Sequence, residues 1–108
     1  MYFIIWEYRV KAEHESDFTS VYSEHGDWVQ LFRKSPGYIG TELLHDQTKK
    51  DRYLTIDRWE STEAYDAFRL SSDREYRTLD RKCSNWTEEE SALGCFLGVL
   101  PRISDKAF

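Results

Sequence analysis

Few residues in this chain of 108 dictate its architecture: there are two cysteines, two prolines, and no long apolar run, the most extended being the stretch that holds LGCFLGVL at 93–100. Cys83 and Cys95 stand twelve positions apart, which matches no zinc spacing and makes a poor disulfide framework. Both are expected as free thiols in a reducing cytoplasm. No stretch approaches the ~18 apolar residues of a membrane helix, and the opening MYFIIW lacks the length and basic flank of a secretion signal. The expectation is a cytoplasmic protein that does not engage membranes, in which Asn85-Trp86-Thr87 carries no glycosylation meaning. A surplus of positive charge is also missing. Fifteen Lys and Arg, scattered along the chain, face twenty Asp and Glu, for a net charge of −5. Nucleic acid is therefore excluded as a partner, because phosphate binding requires clustered basic residues.

Catalytic signatures are equally scarce. No P-loop, dinucleotide fingerprint or nucleophile elbow occurs. His14, His25 and His45 lie eleven and twenty residues apart, without the i to i+4 pairing of a helical zinc site. Glu13-His14-Glu15 with Asp17 could surround a hard cation, but carboxylates at a helix start are explained by the helix dipole, and no metal is expected.

Aromatic residues, by contrast, are abundant at 16%. So many rings in so polar a chain must fill a core, an interface or a ligand pocket. Tyr2, Ile4, Trp6, Tyr8 and Val10 alternate with Phe3, Ile5, Glu7 and Arg9, the period of a strand, with both faces apolar at its start. From about Glu13 the period lengthens, and Phe18, Val21, Tyr22, His25, Trp28 or Val29, and Phe32 fall on one face of a helix. Ser35-Pro36-Gly37 makes a turn, and residues 38–46 and 52–59 form two strands joined around QTKKD. Ser61 is placed to cap a helix carrying Ala64, Tyr65 and Phe68 inward, and Ser72 with Glu75 forms a capping box for another carrying Tyr76, Leu79 and Cys83. Glu88 to Glu90 is expected as a solvated turn, and 93–100 as a short buried final strand.

The order is βαββαβ with the second helix broken, which implies an α+β, ferredoxin-like antiparallel sheet with helices on one face. Nothing in so short a chain remains to cover the other face, so a homodimer formed through it is expected.

A helix with an inward His, then SPGYIGTELL, then YLTIDRWESTEAYDAF, then a helix containing EYRTL and a last short strand, resembles the antibiotic biosynthesis monooxygenase family of dimeric α+β barrels. The resemblance spans residues 1–99, leaving 100–108 as a tail, and is carried by Pro36-Gly37-Tyr38 with Gly40, and by Trp59-Glu60-Ser61 with Ala64 and Phe68. It implies a pocket in each protomer between helices and sheet. Family members include cofactor-independent monooxygenases of quinols and aromatic polyketides, and haem-degrading enzymes. The haem-degrading branch carries an Asn, a Trp and a His where this chain aligns Glu7, Phe68 and Thr78. A threonine cannot replace an imidazole on haem iron, so no haem is expected.

By this resemblance the chain is expected to be a cofactor-independent monooxygenase that oxidises a small electron-rich aromatic, such as a quinol or anthrone, with molecular oxygen. The alternative is a non-catalytic dimeric small-molecule-binding or stress-related domain that uses the same pocket, with isomerase or lactone chemistry on the same fold a further option. Oxygenation without a cofactor requires a base to make the substrate anion. His25 is the expected base, pointing into the pocket near Trp59 or Tyr65, because an imidazole exchanges its proton near neutral pH. The expected pocket walls are Trp6, Tyr8, Tyr22, Trp59, Tyr65 and Phe68; each can equally be read as ordinary core packing.

Overall fold

The computed structural model describes residues 1–99; the tail assigned to 100–108 lies outside the described residues. The elements run β1 (Tyr2–Val10), α1 (Glu15–Tyr22), α2 (Asp27–Phe32), β2 (Tyr38–His45), β3 (Arg52–Trp59), α3 (Thr62–Ser71), α4 (Asp73–Cys83) and β4 (Thr87–Leu97), with a 3₁₀ turn at Ala12–His14. The four strands form one antiparallel sheet in the order β2-β3-β1-β4. This is the expected ferredoxin-like α+β arrangement, with the helices packed on one face.

Strand alternation sets which side chains meet the helices. Ile4, Tyr8 and Val10 of β1 and Tyr53, Thr55, Asp57 and Trp59 of β3 are buried on the helix side. Trp59, Phe18, Phe68 and Cys83 are the most completely enclosed. Trp59 packs at 5.7 Å from Phe32 and 5.2 Å from Phe68, ring centre to ring centre. Such tilted and edge-on contacts suit aromatic quadrupoles. The opposite face carries Phe3 paired with Phe96, Ile5 with Ile56 and Leu54 with Leu44. Phe96 and Leu44 on that face are exposed.

The structure departs from the sequence expectation in three places. The single helix from Glu13 to Phe32 is two helices, because Ser23 is extended and the chain turns through Gly26. A Cβ at Gly26 would lie 2.2 Å from the Val21 carbonyl oxygen, so only glycine allows the chain to pass that close. The apolar stripe survives the break, with Phe18, Val21, Tyr22, Trp28, Val29 and Phe32 all buried. Secondly, Ser61 caps α3 by accepting from the Ala64 N–H at 3.1 Å, but Ser72 makes no side-chain cap on α4. Ser72 also ends α3, with its backbone N–H donating to the Phe68 carbonyl, and at φ −119°, ψ 22° it lacks the extended backbone of an N-cap. Thirdly, the final strand is neither short nor buried: β4 ends at Leu97, leaves Leu93, Phe96 and Leu97 exposed in the protomer, and begins at Thr87, taking in Glu88 to Glu90. The free edge of β1 recruits this polar segment into an exposed edge strand, where charges discourage further pairing. No helix among the described residues is long and apolar enough to cross a membrane.

Candidate active site

A cavity of about 60 Å³ lies between the helices and the sheet. Buried Ile4, Tyr8, Tyr22, Trp28, Phe32, Thr55 and Asp57 form its floor and walls; half-buried Trp6, Thr41, Tyr65 and Tyr76 surround them; exposed Asp80 and Glu90 mark its mouth.

Asp57 is the chemically distinctive group. It stands on β3 between Thr55 and Trp59, faces the helices, and is only 9% exposed. Thr41, its register partner on β2, donates its hydroxyl to Asp57 Oδ1 at 2.7 Å, and Tyr38 OH lies 2.7 Å from the same threonine oxygen. Burial raises the Asp57 carboxyl from 3.8 to about 6, and the Thr41 hydrogen bond offsets part of that rise. Near neutral pH such a carboxyl exists in both protonation states, the condition for general acid–base work. Tyr8 OH is 3.1 Å from Thr55 Oγ1. Burial pushes the phenols of Tyr8 and Tyr22 well above their ordinary range, so both stay neutral, and partial desolvation at the cavity mouth, together with Asp80, raises the Glu90 carboxyl.

Four of the expected pocket residues, Trp6, Tyr8, Tyr22 and Tyr65, line this cavity. Trp59 and Phe68 do not: both are fully enclosed in the core behind Tyr65, with Trp59 5.5 Å from its ring. The expected placement of His25 is also corrected. Its side chain is 79% exposed and lies beside Glu24 at 3.6 Å, in the turn between α1 and α2. Breaking the helix at Ser23 to Gly26 takes residue 25 off the buried stripe. His25 instead borders a second, outer crevice of about 350 Å³, lined also by Glu24, Val29, Arg33, Tyr38, Ile39, Gly40 and Thr41. Asp57 was missed by sequence reasoning, although the strand alternation of YLTIDRW puts it on the face of Tyr53 and Trp59. A carboxyl at an inward strand position was the available signal.

Of the residues aligned with the haem-degrading pattern, Glu7 pairs with Arg52 in an ion pair, Phe68 is in the core, and exposed Thr78 donates to the Arg74 carbonyl. Among the described residues no group of three or more His, Cys, Asp or Glu is placed to hold a metal ion.

Comparison with solved structures places the fold. A candidate antibiotic biosynthesis monooxygenase from Deinococcus radiodurans aligns with a TM-score of 0.75 at 11% identity, over 92% of this chain and 93% of its own. SnoaB, a cofactor-independent oxygenase from Streptomyces nogalater, aligns with a TM-score of 0.69 at 19% identity, over 93% and 96%. PA3566 from Pseudomonas aeruginosa aligns with a TM-score of 0.67 at 12% identity, over 91% and 93%. No curated protein matches the chain. The family model for antibiotic biosynthesis monooxygenase matches residues 1–76, which takes in β1 to β3, α3 and the Asp57 strand. The chain belongs to the antibiotic biosynthesis monooxygenase family.

Proposed function

We propose that this protein is a cofactor-independent monooxygenase of a small electron-rich aromatic, with Asp57 as the base. The observation that carries the reading is one buried carboxyl, its proton affinity raised by desolvation, in a cavity otherwise walled mainly by aromatic rings. For an anthrone, Asp57 takes a proton from the ring methylene, and the resulting carbanion supplies electrons to oxygen. One oxygen atom ends in the new carbonyl and the other leaves as water, so that a CH₂ and O₂ give C=O and H₂O. Burial makes the ionised carboxylate a stronger base than one in water, which favours the first step. Family membership and the likeness to an oxygenase that needs no cofactor support the same reading.

The cavity selects for charge and size. Asp57, Asp80 and Glu90 line it, and among the described residues no Lys, Arg or His does, so neutral or cationic aromatics are favoured over carboxylates. At about 60 Å³ the cavity is small for an aromatic substrate, and half-buried Trp6, Tyr65 and Tyr76 stand at its walls. This small volume is the observation that favours the second reading, a non-catalytic binding domain. The functional unit is a homodimer joined through the helix-free face, where Phe3, Ile5, Leu44, Leu54, Ile56 and Phe96 form an apolar field bordered by the Glu7–Arg52 and Glu42–Arg58 ion pairs.

The test is oxygen uptake on a panel of quinols and anthrones without added flavin or metal. Turnover by the protein, falling by about 10²–10⁴ in Asp57→Asn, is expected. Tight binding without oxygen consumption establishes the binding domain instead.

A further inference from the structure

We infer that Thr41 and Tyr38 form a proton path from the buried Asp57 carboxyl to the outer crevice beside His25. The inference rests on the reading of Asp57 as the base, and adds a route by which that carboxyl exchanges protons with solvent while a substrate fills the cavity; because the oxygenation returns both methylene hydrogens to water, a proton that leaves by this route is replaced through it. The two cavities share one lining residue, Thr41. Thr41 Oγ1 is 2.7 Å from Asp57 Oδ1 and 2.7 Å from the hydroxyl of Tyr38, a residue that lines the crevice. Both separations are ordinary for hydroxyl hydrogen bonds, so the three oxygens form an unbroken hydrogen-bonded chain along which a proton can pass.

The direction of the hydrogen bonds follows from donor counting. Thr41 has a single hydroxyl proton and gives it to Asp57, so Tyr38 must donate to Thr41. With Asp57 ionised, the chain thus points inward and stabilises the carboxylate. When Asp57 accepts a substrate proton and turns its O–H toward Thr41, the two hydroxyls rotate and the chain points outward. Asp57 then gives one proton to Thr41, Thr41 gives its own to Tyr38, and Tyr38 gives its own to crevice water. Each hydroxyl gains and loses one proton, and the carboxylate is restored. Glu24, His25 and Arg33 are the charged or titratable groups at the outlet; Asp80, Glu90 and the phenols of Tyr8, Tyr22, Tyr65 and Tyr76 face the inner end. Thr41 and Tyr38 are conducting and positioning residues rather than bases.

The experiment follows the Asp57 carboxyl carbon by ¹³C NMR from about pH 4 to about pH 8, in the wild type, Tyr38→Phe, Thr41→Val and Thr41→Ser. Tyr38→Phe keeps the Thr41 contact, so the titration midpoint should stay in place while proton exchange slows by about tenfold or more. Thr41→Val should slow exchange and also move the midpoint up, since the carboxylate loses a donor. Thr41→Ser, which keeps a hydroxyl, should return both to wild-type behaviour. A merely structural role would leave exchange unchanged in Tyr38→Phe. Wild-type exchange rates in both Tyr38→Phe and Thr41→Val mean that the proton leaves by the cavity mouth, and overturn the inference. Because this measurement needs no turnover, its failure is separate from the failure of Asp57 as base, which appears as undiminished oxygen uptake in Asp57→Asn.

Discussion

Replacing Asp57 by Asn should change the pH dependence of stability in a way that no other feature of the site reproduces. In the folded protein the carboxyl is raised from 3.8 to about 6, so between those values the native state holds a proton that the unfolded chain has released. Where the native state binds more protons, stability falls as pH rises. The protein is therefore most stable, as far as Asp57 is concerned, below its unfolded value. It loses that contribution progressively up to about pH 6 and stays level above it. At about 1.4 kcal/mol for each tenfold change in proton affinity, the loss approaches ~3 kcal/mol. Asparagine cannot ionise, and its carbonyl still accepts from Thr41, so the variant lacks this slope. Any cost of an unpaired amide in the variant is constant with pH. Urea unfolding of both proteins at several pH values gives the difference directly, and the raised carboxyl of Glu90 cancels because both carry it. The variant should gain on the wild type by about 2–3 kcal/mol between pH 4 and pH 7. A difference that stays constant across that range would refute the buried, perturbed carboxyl and with it the proposed base.

Three further outcomes are expected. His25→Ala should alter stability by no more than about 0.5 kcal/mol in thermal or urea melts, because the side chain is 79% exposed; a loss above ~1 kcal/mol would restore a buried histidine. Gly26→Ala should cost about 2 kcal/mol or more, since its Cβ would meet the Val21 and Ser20 carbonyl oxygens at 2.2 and 2.6 Å, and an unchanged melting temperature would contradict the turn. Ile56→Asp should convert a homodimer to monomer in sedimentation, because it places a charge at the centre of the helix-free face; a wild type that sediments as a monomer would remove the proposed interface.

Much of the architecture was already determined by short-range pattern in the sequence. The period-two alternation of β1 and β3, the turn at Pro36-Gly37 and the Ser61 cap each express backbone chemistry within a few residues, and together they specify an α+β order and a family resemblance. The position of His25 was not legible in this way. Its place on the helical stripe depended on an unbroken helix, and the break is decided by the close passage of Gly26 over the Val21 carbonyl, a steric fact of three dimensions. Glu88 to Glu90 likewise looked like a turn until the free edge of β1 supplied hydrogen-bond partners for it. Trp59 and Phe68 were recognisable as large inward rings, but only packing decided that both are sealed in the core while Tyr65 reaches the cavity. Asp57 shows the division most clearly. The sequence determined which face of β3 it occupies, through strand alternation. Its burial, its bond to Thr41 sixteen residues away and its raised proton affinity exist only because β2 lies beside β3 and the helices exclude water from that face. Covalent order fixes side-chain direction, whereas desolvation is a property of the surroundings, and only the folded chain creates those.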